Sequence, residues 1–505
     1  MKYNLCLTRF NVFTFYVVAL LLLTVYGFVL RIYDLGYQSF WYDEGYSVNA
    51  ALCMLERGLP ILPSGYIYSE GILNTSLIAS SMGLLGVSEF SARLPSILFG
   101  TLTIPLAFFF AKRIADKRIA LITAFLVTFS ILEIAWSREA RMYQQLQFFY
   151  ILSLYSFNEF TQRRSNRYLV LTILSTICTI LSHSFGFSLI LIYLIYPLLT
   201  NIKSIRKCLS KEFLLNRQIL ILAFCAVALL ALGEILSGIF SNVWGVRINY
   251  FTEYSGYLKQ TFPIILYLAI IGAIIFLRKD YRPSLLLILA MIIPFYFICF
   301  HIKLLGFRYL YLMLPLFFIF FSYAITYLST SIPKGKIRPI VSSILILIIL
   351  FLTVYSPGFN FTPQSIYYLE PRAPQPNFKQ AYNYINENMS DGDIIIDTWP
   401  AVGKFYLKRA PDYWLAFDIA GLRGEYSVEE DKSREFYTNT LIIKDLDMLE
   451  SIIVENQSGW LVIDGLAKSR LQPSTTEFIE QNLTYYERGS SRSIAGEIRV
   501  YGWSH

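Results

Sequence analysis

Asn11–Tyr46 reads NVFTFYVVALLLLTVYGFVLRIYDLGYQSFWYDEGY. The apolar run at about 11–30 is long enough to cross the hydrocarbon core of a bilayer. It lacks a small-residue cleavage site and follows Lys2 and Arg9. It is therefore expected to be a retained first span with a cytoplasmic N-terminus. Immediately past its exit, Ser39-Phe40-Trp41-Tyr42-Asp43-Glu44-Gly45-Tyr46 sets two adjacent carboxylates among aromatic rings. Acids at a bilayer edge are costly unless they are solvated or used. An aromatic belt with Asp43 at a helix N-terminus accounts for one carboxylate more easily than for the pair.

The rest of the chain fits this opening. Of 505 residues, 55% are apolar, 17% aromatic and only 15% charged, against roughly 25% charged in soluble domains. Disordered, collagen-like and disulfide-stapled classes are excluded, and a soluble enzyme of this size would need more surface charge. The net charge of +8 fits basic cytoplasmic loops better than nucleic-acid binding. The six cysteines show no metal-ligand spacing and are expected to be structural.

Further apolar runs centre on 94–111, 119–136, 142–160, 168–182, 185–200, 218–236, 263–277, 283–300, 307–329 and 339–356, which makes eleven expected spans. Residues 71–86 are short and dotted with Asn74, Thr75, Ser76, Ser80 and Ser81. Counting them as a span would put Lys112–Arg118 outside, against the positive-inside rule. They are expected to lie at the membrane surface, as is a second helix over 43–58. The inside loops (112–118, 161–167, 201–217, 278–282, 333–338) and the N-terminus then hold 20 Lys and Arg, the outside segments before 357 only nine. The outer cations sit where topology does not ask for them.

After 357 the composition changes. Pro357, Pro363, Pro371, Pro374 and Pro376 mark a linker. Helical and strand-like runs then alternate: 377–389, the strand 393–397, a helix near 402–409, strand 413–417, helix 444–455 and strand 460–464. The expected organisation is a polytopic α-helical membrane domain, 1–356, and a small extracytoplasmic α/β domain, 357–505. The second has no phosphate-binding glycine motif and is expected to be structural or to contact an acceptor.

Two further segments carry candidate chemistry on the same side. Trp136–Tyr143 (WSREARMY) holds Arg138 and Arg141, three apart and so on one face if helical. They are expected to clamp a phosphate or pair with Asp43 or Glu44, the plainer reading being snorkelling at a helix end. Lys303–Tyr311 (KLLGFRYLY) offers Lys303, Arg308 and Tyr309 to a lipid phosphate or as an interfacial anchor. His183 and Arg247 are weaker candidates. An acid pair with several cations at an interface suits a reaction in which a lipid-linked phosphate leaves while a hydroxyl attacks. A carboxylate would take the proton and the cations would stabilise the phosphate.

At this point the sequence resembles the GT-C glycosyltransferases that use polyprenyl-phosphate sugars, the superfamily of protein O-mannosyltransferases and lipid A aminoarabinose transferases. The likeness covers most of 1–330. It rests on Asp43-Glu44 in WYDEG, on Leu85–Ser96 (LGVSEFSARLPS), on Asp116–Leu121 and Ser137–Tyr143, and on Arg308-Tyr309 before Pro315. The resemblance implies two juxtamembrane helices in the first outer loop and Asp43 as general base with Glu44 supporting or sharing the role. It places Arg247, Lys303, Arg308 and Tyr309 toward the donor phosphate, and Arg138, Arg141, Tyr143 and His183 along the cavity. It implies a sugar donor on a dolichyl or undecaprenyl monophosphate, a glycan, lipid or protein acceptor, and a multi-pass cell-membrane location. Where aminoarabinose transferases carry a Lys-Pro, this chain reads Tyr68-Ser69-Glu70-Gly71. Where several relatives place an acid it has Arg141-Met142-Tyr143, so no metal and no cofactor is expected. It also lacks the large luminal insertion of eukaryotic O-mannosyltransferases. Two alternatives stay open: a lipid-linked glycan flippase or transporter, and a glycan polymerase or ligase with a pyrophosphate-linked donor. The crowding of candidate charges on one side disfavours transport.

Overall fold

The computed structural model describes residues 2–200, 249–302, 305–330, 343, 344, 346, 347, 349, 351, 376–416, 426–429, 432–493 and 496–505. The expected span 218–236, most of 339–356, the loops 201–217 and 333–338, the linker prolines before Pro376, and Arg247 and Lys303 lie outside the described residues. The chain forms two compact units. One comprises Met1–Leu30, Phe99–Ile134 and Tyr143–Asn360, the other Arg31–Leu98, Ala135–Met142 and Phe361–His505.

The first unit is helical. Among the described residues, four helices of the chain are long and apolar enough to cross a membrane: Thr14–Ile32, Glu89–Ile114, Tyr281–Phe300 and Phe307–Thr330. Counting each of two bent pairs as one span raises the number to six. Lys117–Phe129 and Ile131–Ser137 meet at 58°, and Phe251–Thr261 and Pro263–Lys279 at 107°. Tyr143–Arg163, Asn166–Ser182 and Ser188–Thr200 are helices where spans were expected. Tyr143–Arg163 is less apolar for a visible reason. It buries Gln144, Gln145, Gln147, Asn158 and Glu159 inside the unit, and Gln144 and Gln147 find the partners that membrane-depth polar groups require. Gln147 Nε2 donates to Glu133 Oε1 at 2.9 Å and to the Tyr311 carbonyl at 2.8 Å. Gln144 Nε2 donates to Thr103 Oγ1 at 3.1 Å, and the Tyr311 hydroxyl donates to Gln144 Oε1. Pro263–Lys279 and Leu314–Thr330 approach closely at Gly272, where any β-carbon would strike the Phe320 carbonyl. Small residues allow such contacts between membrane helices.

The second unit joins the segment after the first helix to the C-terminal residues. Tyr42–Arg57 and Ile72–Leu85 are its first helices, close to the surface helices expected at 43–58 and 71–86. The first of them starts because Glu44, at its third position, turns back to accept the Trp41 amide at 3.0 Å. It stops at Gly58, whose φ of 77° suits the left-handed C-terminal cap.

The C-terminal residues build a mixed sheet of nine described strands: β1 (Ile394–Asp397), β2 (Tyr413–Leu415), β3 (Tyr426–Glu429), β4 (Lys432–Glu435), β5 (Leu441–Ile443), β6 (Ser458–Asp464), β7 (Thr484–Tyr485), β8 (Ser491–Ser493) and β9 (Gly496–Ser504). Their order is β3-β4-β5-β2-β1-β6-β9-β7, with β8 on β9. The central four, β5-β2-β1-β6, are parallel and the flanks antiparallel. Alternate side chains explain the layers. Ile396, Leu461 and Ile463 pack under Leu446–Glu455 and Pro473–Asn482 on one face. Ile395, Trp460 and Val462 pack with Phe378, Tyr382 and Val402 of the helices Phe378–Asn388 and Pro400–Leu407 on the other.

Candidate functional site

In the second unit, Asp43 and Glu44 occupy the first turn of Tyr42–Arg57, and their surroundings differ. Glu44 is fully buried. Arg93 grips it with two parallel bonds, Nε to Oε1 at 2.8 Å and Nη2 to Oε2 at 2.7 Å. The Ala140 amide donates to Oε1 at 2.7 Å and the Trp41 amide to Oε2. Burial opposes the charge on Glu44, but the Arg93 cation and the hydrogen bonds from Arg93, Ala140 and Glu139 outweigh it and hold the carboxyl below its usual range. Arg93 also donates to the carbonyls of Leu35, Gln38 and Ser39 at 2.8–3.0 Å and lies over the Phe40 ring. One guanidinium thus ties the acid pair to the chain that leads into it.

Asp43 keeps 13% of its side chain exposed. Its carboxylate forms an ion pair with Arg141 Nη2 at 3.8 Å. Arg141 Nη1 donates to the Asp43 carbonyl and to Ser47 Oγ, both at 2.8 Å, and to the Tyr68 hydroxyl at 3.3 Å. Burial raises the Tyr68 phenol above its ordinary range, against the pull of Arg141, so at neutral pH it is a neutral hydrogen-bonding group. The acid, the guanidinium and two hydroxyls form one cluster. A carboxylate so placed can accept a proton, and Arg141 fixes its position.

Arg138 and Arg141 do not share a helical face. The helix Ile131–Ser137 ends before them, and the next begins at Tyr143. The break has a reason: within a helix the Ala140 amide would be spent on a carbonyl four residues back, whereas here it serves Glu44. Arg138 turns to the carbonyls of Arg31 and Tyr33, at 2.9 and 2.6 Å. Of the roles expected for this couple, Arg141 pairs with Asp43 and Arg138 holds backbone.

The first unit holds the other described candidates. Tyr143, His183 and Tyr309 form a ring cluster with centroids 6.0–6.3 Å apart, and Phe185 lies 5.3 Å from Tyr309. His183 Nδ1 accepts the Phe185 amide at 3.2 Å, capping the short 3-10 turn Ser184–Phe187. Arg308 lies 5.4 Å from the centre of the Tyr309 ring. The Tyr254 hydroxyl meets both the amide and the carbonyl of Gly306 at 3.2 Å, fixing the approach to this turn.

Three residues around the acid pair were not singled out in sequence: Arg93 at Glu44, and Ser47 and Tyr68 in the Asp43 cluster. Arg93 stood inside the matched stretch Leu85–Ser96, but its partner lies 49 positions away. Ser47 could be read four positions after Asp43 on the same helix, one turn on. Tyr68 gave no signal.

Residues 70–230 match the family model described as dolichyl-phosphate-mannose-protein mannosyltransferase. A protein of Aquifex aeolicus (strain VF5), itself described as uncharacterized, is 27% identical over 175 residues, which is 34% of this chain and 35% of that protein. The alignment thus spans about a third of the relative. The crystal structure of ArnT from Cupriavidus metallidurans bound to undecaprenyl phosphate superposes with a TM-score of 0.57 at 14% identity, covering 96% of this chain and 97% of that one. The Archaeoglobus fulgidus oligosaccharyltransferase AglB, in complex with an inhibitory peptide and a dolichol-phosphate, superposes with a TM-score of 0.57 at 12% identity, covering 88% and 69%. The resemblance to GT-C glycosyltransferases therefore holds in sequence over 70–230 and in fold over nearly the whole chain. The architecture is a GT-C-like helical fold with several candidate membrane helices and a small C-terminal sheet region.

Proposed function

We propose that this chain is a membrane glycosyltransferase that moves a sugar from a polyprenyl monophosphate to a hydroxyl acceptor on the extracytoplasmic face. In this reading the acceptor oxygen attacks the anomeric carbon as its bond to the phosphate oxygen breaks, inverting the configuration. The hydroxyl proton passes to Asp43 as general base, and the polyprenyl phosphate leaves as an anion. Arg308 and Tyr309, with Arg247 and Lys303, neutralise that anion. Tyr143 and His183 line the cavity, and Glu44 is a positioning group. No metal or cofactor enters the scheme.

The observation that supports it most is the division of labour between neighbouring carboxylates. Glu44 has both oxygens engaged by Arg93 and two amides, whereas Asp43 is partly exposed and steadied by Arg141. The fold likeness to proteins solved with undecaprenyl phosphate and dolichol-phosphate favours a lipid monophosphate donor. The test is transfer by the purified protein in nanodiscs, with a panel of undecaprenyl- and dolichyl-monophosphate sugars and hydroxyl acceptors. It is joined by mass spectrometry of envelope glycans from cells with and without the gene. Transfer from a monophosphate donor with release of the lipid phosphate is expected. Transfer only from pyrophosphate-linked donors, or movement of lipid-linked glycan without bond breakage, would replace this reading.

A further inference from the structure

The C-terminal residues carry a buried feature that the proposed chemistry does not use. β1 and β6 are parallel neighbours, and each ends in an aspartate, Asp397 and Asp464. Both are buried, and both hold the same residue. Asp397 Oδ1 accepts the backbone amide of Trp399 at 3.0 Å. Asp464 Oδ1 accepts its indole N–H at 2.8 Å. Tyr382 donates its hydroxyl to Asp397 Oδ2 at 2.7 Å, and Asp464 is secured by the Ala467 amide at 2.9 Å. Thr398, one residue earlier, bonds the Val462 carbonyl through both its amide and its hydroxyl. Trp399 is therefore fixed at both its backbone and its ring.

That fixed ring lies flat against Tyr42, with centroids 4.3 Å apart and planes within 14°. Tyr42 is the residue before Asp43. The helix that follows Trp399, Pro400–Leu407, packs on the Asp43 helix with no room to spare. A β-carbon at Gly45 would stand 3.1 Å from Val402 Cγ2 and 3.2 Å from the Ala401 carbonyl carbon. Asn49 Nδ2 bridges the two helices, donating to the Gly45 carbonyl at 2.8 Å and the Ala401 carbonyl at 2.6 Å. On the other side of Asp43, the Tyr406 hydroxyl accepts the Phe40 amide at 2.9 Å and donates to Glu89 Oε1 at 3.0 Å. The chain is thus gripped by the sheet region at 40, 42, 45 and 49.

We propose that the C-terminal sheet region is a clamp that sets the position of Asp43, with Trp399 as its central positioning residue and Asp464 acting through Trp399. Asp43 lies between Tyr42, held by this clamp, and Glu44, held by Arg93. A general base must be held within about 0.5 Å of the position from which it takes the proton. The stack and the Asn49 bridge supply that constraint from outside the helix itself. This inference rests on the reading of Asp43 as the base, so one measurement must be independent of activity.

The experiment uses the full chain in nanodiscs as wild type, Trp399→Ala, Trp399→Phe, Tyr42→Leu and Asp43→Asn. Hydrogen exchange is followed over 40–50 and over β6, and kcat and KM are measured for donor and acceptor. Trp399→Ala is expected to speed exchange over 40–50 at least tenfold with β6 unchanged, and to lower kcat at least tenfold with donor KM unchanged. Trp399→Phe keeps a stacking ring and should recover most of both. If Trp399→Ala also loosens β6, Tyr42→Leu makes the same cut from the other side of the stack and decides. Unchanged exchange over 40–50 in the variant that decides overturns the clamp. So does faster exchange with unchanged kcat while Asp43→Asn is inactive. A fully active Asp43→Asn instead overturns the base assignment and leaves the exchange result to judge the clamp by itself.

Discussion

Replacing Arg93 with Met removes the partner of a fully buried carboxylate while keeping most of the side-chain volume. Glu44 loses two charge-assisted bonds, and the carbonyls of Leu35, Gln38 and Ser39 lose their donor. Breaking one side of a buried ion pair costs about 3–5 kcal/mol. In a unit of about 200 residues, each kcal/mol moves the thermal midpoint by about 2–4 °C. A fall of roughly 10 °C at pH 7.5 follows, read by intrinsic fluorescence in detergent. Adding Glu44→Gln removes the stranded charge, so the double variant should recover part of the loss, and the two changes should not add. The pH dependence has a definite sign. The folded pKa of Glu44 is lowered, so the pair's contribution is present above the unfolded carboxyl value and lost as pH falls through the folded one. Without Arg93 the stranded acid takes up a proton more easily, and the gap to wild type should narrow toward pH 5. A midpoint within 2 °C of wild type, or no recovery on adding Glu44→Gln, would refute this account of Glu44 as a structural acid.

Burial pushes Asp397 and Glu435 up to about 7. The folded domain keeps protons that the unfolded chain gives up above about pH 4. The stability these two groups contribute is therefore fully present below that pH and is lost as pH rises through 7. The thermal midpoint should be higher at pH 5.5 than at pH 8, and Asp397→Asn should flatten the difference. Arg141→Lys keeps the charge but not the fork that meets Asp43, Ser47 and Tyr68. It should lower kcat about 10–100-fold with donor KM unchanged in steady-state transfer assays. Arg308→Gln should instead raise donor KM by at least about tenfold, the loss of one charge-assisted contact, as measured by donor titration.

Much of the fold was legible from hydrophobic run length and charge. Helices lie at each described position where a span was expected, and Tyr42–Arg57 and Ile72–Leu85 are helices close to the two further ones expected at 43–58 and 71–86. Two strands at the centre of the C-terminal sheet were marked by the buried runs Asp393–Asp397 and Trp460–Asp464, whereas their parallel pairing was not read. β9 was harder, since Arg499 and Gly502 interrupt its apolar pattern. The site was legible in its residue types and not in its pairings. Adjacent carboxylates look alike in sequence, and what separates Asp43 from Glu44 is an arginine 49 positions on and an amide freed by a helix break at 138–142. The same limit hid the Tyr42–Trp399 stack, whose partners sit at opposite ends of the chain. Periodicity reports which face is buried. It does not report which distant side chain lies against it.

The most direct measurement is single-turnover transfer by purified Asp43→Asn with a radiolabelled polyprenyl-monophosphate sugar, beside wild type. The base assignment gives a rate lowered by about 10²–10⁴, with donor binding and thermal midpoint preserved. Transfer at the wild-type rate by a folded Asp43→Asn protein would contradict it.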